Sequence, residues 1–263
     1  MSSTSTSPRP LVFYDILMGK GYSGPNPWKT RAALNFKHLP YTTTWVPLPE
    51  IAKVRKGLGV PACRKFADGS DFYTLPIIED PNTNSRLGDS FDIVSYLQKQ
   101  YPDAGDGDLL PAQTLDFTFS QDGILIPLSE QGGVNSMTFT AHVVLCAQGT
   151  RFDPATAEAT KAEFARRAGM SSWDDFTVPA EVRVKTLESF EKALGELGKL
   201  FLKDPSGPFV LGPRASYADI IVGAWLNLMR ATLPDDEWQQ VRSWHGGIFG
   251  QLYDGLQKYA EIK

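Results

Sequence analysis

The stretch LVFYDILMGKGYSGPNPWKTRAALNF, residues 11–36, decides how the rest of the chain is read. Its opening, Leu11 to Ile16, is short and rich in apolar and aromatic residues, which predicts a strand. A polar, glycine-containing loop follows and runs into Asn26 and Pro27, a good helix start. Asparagine suits the N-cap because its side-chain oxygen accepts from a first-turn N–H, and proline suits the next position because its missing N–H would have no partner there. The helix is expected to run to about Lys37, with Trp28, Ala32 and Phe36 along one side. Such a helix start offers unpaired N–H groups and a positive dipole end, so it favours an anion. A thiolate is one candidate, and Ser23 and Asn26 are able to donate to it, although neither is a good nucleophile. In the alternative reading Asn26 caps its helix and Ser23 is an ordinary loop hydroxyl.

Working outward, TTTWVPL (42–48) reads as a second strand, and the polar stretch from Ile51 to Asp71 holds at most a short helix. LPIIED (75–80) and SRLG (85–88) flank the turn residues PNTN and read as a hairpin. FDIVSYLQKQY (91–101) is an amphipathic helix with Asp89 and Ser90 at its start, and the Gly/Asp/Pro-rich segment 102–112 reads as a linker. Beyond it the patterning is helical throughout, around 113–130, 137–147, 154–169, 179–203, 216–231 and 246–260. A small α/β unit (11–101) is therefore expected to precede an all-helical unit (113–263), with residues 1–10, which are rich in Ser and Thr, as a disordered tail.

Composition narrows the function. At 263 residues the chain is long enough for a sizeable core, and 42% hydrophobic with 21% charged residues is ordinary for a globular protein. A net charge of -4 argues against nucleic acid or an anionic membrane as the main partner. No apolar run reaches the roughly 18 residues of a membrane helix, and the N-terminus lacks the apolar centre of a signal peptide, so a cytosolic protein is expected. Cys63 and Cys146 stand in separate regions and form no C-x-x-C pair, and the three histidines are far apart. Disulfide and metal chemistry are accordingly not expected.

Three further motifs stand at element boundaries. GDS (88–90) opens a helix: Ser90 offers a hydroxyl and an N–H to a carboxylate, while Asp89 attracts an ammonium, a combination suited to a zwitterionic amino-acid head. TLP (74–76) opens a strand with a proline, a place where an extended peptide often pairs with free backbone groups. SYAD (216–219) is a capping-box variant, with Ser216 at the N-cap and Asp219 three residues on, and its role is structural.

The order and spacing of these motifs, from about residue 11 to 260, resemble the cytosolic glutathione transferases. WKTRAALNFKHLPY (28–41) is similar to their first helix, TLP and GDS to their cis-proline and acid–serine pair, and FVLGPRASYADIIVGAWL (209–226) to the capping box and hydrophobic staple of their helical domain. The PNxWKT form is most similar to the fungal class A (GSTFuA) enzymes related to bacterial β-etherases, and next to the Ure2-like class. The resemblance implies a thioredoxin-like N-terminal domain plus an all-α C-terminal domain, glutathione as cosubstrate, an apolar second site and a homodimer. It implies that glutathione meets Ser23, Gly24, Asn26, Trp28, Thr74, Leu75, Pro76, Asp89 and Ser90, with the Leu75 backbone on the cysteinyl unit and Asp89 and Ser90 on the γ-glutamyl end. Arg64, Lys65 and Thr74 are the candidates for the glycyl carboxylate. One departure matters: the position where many relatives carry a catalytic Ser or Cys is Gly24. The nucleophile then belongs to the cosubstrate, with Ser23 and Asn26 as the residues that steady its thiolate. Conjugation of aromatic electrophiles in detoxification is the implied activity. A weakly catalytic ligandin that binds aromatic compounds is the alternative, and the absence of cysteine from residues 21–31 argues against a glutaredoxin-type reductase.

Overall fold

The computed structural model describes residues 9–19, 24–114, 117–121, 124–127 and 134–263. Ser23 and the first eight residues lie outside the described residues. Arg9, assigned to the tail by sequence, exchanges backbone hydrogen bonds with the Asn82 side chain at 2.9 and 3.0 Å.

The N-terminal half runs β1 (Leu11–Leu17), α1 (Pro25–Phe36), β2 (Tyr41–Pro47), α2 (Ile51–Gly57), a two-residue ladder β3 (Arg64–Lys65) and β4 (Asp71–Phe72), β5 (Ile77–Asp80), β6 (Ser85–Gly88) and α3 (Ser90–Gln100). The main sheet has the order β2-β1-β5-β6. β1 and β2 are parallel, which requires the α1 crossover between them, while β1/β5 and β5/β6 are antiparallel. This topology brings the C-terminal ends of β1 and β6 and the N-terminal end of β5 to one end of the sheet. The register makes that concrete: Ile77 pairs with Tyr14 on one side and with Gly88 on the other.

Helix α1 is buried almost all round, because α3 and the sheet lie on one side and α6 (Tyr217–Thr232) covers the other. Two of its buried side chains are cationic. Arg31 pairs with the buried Asp15 at 2.6 Å, and its guanidinium carbon lies 4.9 Å from the Phe13 ring centre and 5.3 Å from that of Trp45. An ion pair buried this deeply persists because both partners are satisfied; removing either one strands a charge. Lys29, the second cation, belongs to the candidate site.

The C-terminal half is mostly helical, with α4 (Ala157–Ala168), α5 (Ala180–Phe201), α6 and α7 (Asp235–Leu256). It is not all-helical: the helix expected over 113–130 is replaced by a hairpin, β7 (Thr118–Gln121) with β8 (Ile124–Pro127). The runs TFSQ and ILIP carry β-branched and aromatic residues that favour strand, they pair from Thr118 with Pro127 to Gln121 with Ile124, and that local propensity overrides the helical reading. The helix expected over 137–147 is broken into short turns, a π-helical Val134–Phe139, then Thr140–His142 and Val144–Ala147. The helix expected over 246–260 is the second of two segments that make up Asp235–Leu256; the first, not expected, opens at Asp235, with Pro234 at its N-cap and three acidic residues in its first turn. The two are separated at Trp244–Gly247, where His245, Gly246 and Gly247 have φ of 53°, 76° and 82°, a backbone that glycine adopts readily.

At α6 the capping box forms in full, and Asp219 also accepts from the Val210 N–H at 2.8 Å. Burial pushes this carboxyl up to about 6 against the pull of its hydrogen bonds.

Candidate active site

The end of the sheet where β1, β5 and β6 converge collects three separated segments: Gly24–Lys29, Thr74–Pro76 and Gly88–Ser90. The first opens α1 one residue earlier than expected. Pro25 is the first helical residue and Gly24 the N-cap, so Asn26 does not cap the helix but stands inside its first turn. The reason is that Pro25 fits a first-turn position as well as Pro27 does. The consequence is a scarcity of backbone donors. Pro25 and Pro27 have no N–H, and the Trp28 N–H bonds to the Gly24 carbonyl at 3.4 Å. Asn26 keeps a backbone N–H between the two prolines.

Gly24 has φ -66° and ψ 163°, and a Cβ built on it would lie 3.9 Å from Ile16 Cδ1 and 4.0 Å from Pro27 Cδ. Among the described residues, neither the backbone nor the packing demands glycine there. The Asn26 side chain is half-buried, and its Oδ1 accepts from Lys29 Nζ at 3.0 Å. Lys29 is fully buried, and burial lowers its ammonium to about 7, opposed by the charge of Asp89. Trp28 is 7% exposed and, with Ala32, Ile220 and Leu256, lines a small crevice where α1 meets α6 and α7.

The second segment has the Leu75–Pro76 peptide in the cis form, with Leu75 and Pro76 buried and Thr74 half-buried. The third has Asp89 as N-cap of α3, its carboxylate accepting from the Phe91 N–H at 3.0 Å, with φ of 87° at Asp89. Ser90 is buried, and its side chain hydrogen-bonds the phenol of Tyr217, the first residue of α6.

A second buried cation, Arg55 of α2, holds the second and third segments together. Its Nε donates to Pro61 O at 2.6 Å and its Nη1 to Thr74 O, while its guanidinium fills the space beneath Gly88. A Cβ on Gly88 would meet Arg55 Nη2 at 2.6 Å, so the close approach depends on glycine. Beside Asp89 opens a cavity of about 310 Å³ lined in part by Arg55, Pro61, Cys63, Arg86 and Asp92. Burial pushes the Cys63 thiol up, and burial together with Asp89 raises the Asp92 carboxyl.

Of the three candidates for a carboxylate partner, Arg64 and Lys65 sit exposed on the small β3–β4 ladder. Arg64 lies over the Phe72 ring at 4.2 Å, and Lys65 is paired with Asp71 at 3.1 Å. From the other half of the molecule Arg167 of α4 reaches this segment, its Nη1 donating to Tyr73 O at 3.0 Å. Sequence reading missed Lys29, Arg55 and Arg167. Lys29 had a signal, a charge on the apolar side of a helix; the other two depend on tertiary approach and had none.

A family model described as "Glutathione S-transferase, N-terminal domain" matches residues 23–100, and one described as "Glutathione S-transferase, C-terminal domain" matches residues 136–259. The chain belongs to the glutathione S-transferase family. Among its relatives of known structure is a glutathione S-transferase of Ceriporiopsis subvermispora crystallised in complex with glutathione. It is 30% identical, the match covers 97% of this chain and 99% of that one, and the TM-score is 0.80. Glutathione transferase GSTFuA3 of Phanerochaete chrysosporium is 27% identical over 98% of this chain and 100% of its own, with a TM-score of 0.81. A curated relative, the glutathione S-transferase-like protein ustS of Aspergillus flavus, is 25% identical over 98% of this chain and 94% of its own. The transferase architecture, a mixed-sheet N-terminal half with a mostly helical C-terminal half, is thus shared with fungal class A enzymes. Among the described residues no helix is long and apolar enough to cross a membrane.

Proposed function

We propose that the protein is a glutathione transferase whose nucleophile is the thiolate of its cosubstrate. The observation that carries the reading is the convergence of the α1 start, the cis-Pro76 segment and the Asp89–Ser90 helix start at one end of the sheet. Glutathione would lie across the three. Its cysteinyl unit pairs with the Leu75 backbone, and its γ-glutamyl head sits at Asp89 and Ser90 beside the cavity, where Asp89 faces the ammonium. Its sulfur rests at the opening of α1, near Ser23, Gly24 and Asn26. Two neighbouring relatives crystallised with glutathione support this choice of ligand. Residues 11–101 form the tripeptide-binding unit, 102–112 the linker and 113–263 the unit that supplies an apolar second site.

In the reaction the thiol loses its proton, and the sulfur lone pair forms a C–S bond to an electrophilic carbon. A leaving group departs with the electron pair of its broken bond, or the pair moves onto the acceptor in an addition. Nothing on the protein becomes covalently attached. What the site contributes is a preference for the thiolate over the thiol, and each unit by which the thiol pKa falls corresponds to about 1.4 kcal/mol of that preference. Hydrophobic, aromatic electrophiles in detoxification are the substrate class we infer, acted on by a homodimer in the cytoplasm.

The test is conjugation of a halogenated nitrobenzene or an isothiocyanate. The wild type is expected to turn it over, and Asn26→Ala, Ser23→Ala or the pair together to lose at least tenfold in rate. Unchanged rates in all three variants would place the thiolate elsewhere. The ligandin reading, motivated by the missing side chain at position 24, predicts tight displacement of a fluorescent probe by polyphenols with no measurable conjugation on the same sample.

A further inference from the structure

We propose that Lys29 is a positioning residue that turns the Asn26 amide so that its NH2 group faces the sulfur of the bound thiolate. The proposal rests on the reading of the α1 start as the thiol site and adds the residue that makes Asn26 a donor there.

The argument begins with hydrogen-bond chemistry. A primary amide carries a donor end and an acceptor end of nearly equal size, and without a fixed neighbour either end can face a ligand. An ammonium has three donors and no acceptor, so only the oxygen of Asn26 can face Lys29 Nζ, at 3.0 Å. The amide NH2 is thereby directed to the opposite side. Lys29 is fully buried and Asn26 half-buried, so the opposite side is the open one, toward the mouth of the helix. With the oxygen outward the same residue would repel a thiolate.

The scarcity of other donors makes the orientation matter. Position 24 has no side chain, Pro25 and Pro27 have no N–H, and the Trp28 N–H is bonded to Gly24 O. Among the described residues of the first turn, Asn26 offers both a backbone N–H and a side-chain amide. A buried cation behind the amide also polarises it, strengthening its N–H bonds to an anion in front. Desolvation opposes the Lys29 cation while the charge of Asp89, at the start of α3, favours it, and in its ammonium form Lys29 presents donors alone to Asn26. With its ammonium at 0% exposure Lys29 does not touch the ligand and acts through Asn26.

Lys29→Met keeps the length and apolar stem of the side chain and removes the donor. Calorimetry first measures glutathione binding by the wild type. Absence of binding would remove the site reading and this inference together. With binding present, the thiol pKa of bound glutathione is read from thiolate absorbance against pH, alongside kcat and KM for conjugation. Lys29→Met is expected to raise the bound thiol pKa by about one unit and to lower kcat about tenfold, with KM for glutathione within about threefold. Because Lys29 acts through Asn26, the double variant Lys29→Met/Asn26→Ala is expected to be no slower than Asn26→Ala alone. A folded Lys29→Met with wild-type thiol pKa and kcat, or losses that multiply in the double variant, would overturn the proposal and leave the site reading standing. Asn26→Asp gives a second route should Lys29→Met not fold: its carboxylate faces the same ammonium but has no donor to offer, so kcat is expected to fall as in Asn26→Ala. Retained kcat there overturns the proposal as well.

Discussion

Position 24 tests the chemistry most directly. Its φ of -66° is open to any residue, and among the described residues a new Cβ would find ordinary van der Waals neighbours at 3.9 and 4.0 Å. Gly24→Ser therefore introduces a hydroxyl at the helix mouth without strain, as an additional donor to the thiolate. A net hydrogen bond to a charged group contributes about 1.5–3 kcal/mol, and the expected result in steady-state conjugation is a rise in kcat of about tenfold. A variant slower than wild type would show that the sulfur does not lie in front of Gly24. The contrast between Asn26 and Asp89 shows what is legible at this scale. Both precede or begin helices in the sequence; Asp89 is an N-cap in the structure and Asn26 is not. The difference is that two prolines compete for the first turn of α1, a choice that only the folded backbone resolves.

Helix α6 shows the same physics at the level of an element. Ser216 and Asp219 announce its start in the sequence, and both reciprocal hydrogen bonds form. Asp219 does more than cap, since its other oxygen holds the Val210 N–H of the preceding turn at 2.8 Å. Asp219→Ala leaves buried donors at Val210 and Ser216 unpaired and is expected to cost about 2–4 kcal/mol in chemical denaturation. The sign of its pH dependence is distinctive. Burial raises this carboxyl from 3.8 to about 6, so between those values the native state retains a proton that the unfolded chain releases. Its contribution is complete below 3.8 and declines as pH rises through about 6. The deficit of the alanine variant should widen as pH is lowered from about 7 to 5; a deficit that narrows would show the carboxyl titrating below its unfolded value. At this scale the long amphipathic helices are legible because their apolar spacing spans many turns, as in Ala180–Phe201. The 113–130 segment and the start of α7 are not, because short runs carry too few turns to distinguish one period from another.

Across the whole molecule the two halves are held by contacts on both sides of α1. Asn35 Nδ2 donates to Tyr259 O and Glu261 O, both at 2.8 Å, and Tyr41 donates its hydroxyl to Glu261 O at 3.0 Å. Near the site, Gly19 N–H reaches Arg151 O at 2.9 Å and Arg167 reaches Tyr73 O at 3.0 Å. Helical-half residues therefore contact both β1's exit and the residues before cis-Pro76. Asn35→Ala removes both bonds, leaving Tyr259 O without this donor while Glu261 O keeps Tyr41, and is expected to lower stability by about 1–2 kcal/mol. The loss should appear in a single unfolding transition, since α1 is shared by both halves. Two resolved transitions in scanning calorimetry would show that the halves melt independently.

Sequence by itself determined the order of strands and helices in the N-terminal half apart from the short β3–β4 ladder, the Asp89 and Ser216 helix starts and the glycine at position 24. These follow from local propensity, capping chemistry and periodicity, which act between residues a few positions apart. Tertiary structure decided that α1 begins at Pro25 and that Lys29 and Arg55 are buried behind the site. Those outcomes depend on which surface each segment is packed against. A charged side chain gains or loses its solvent, and with it its chemistry, only when distant parts of the chain close over it.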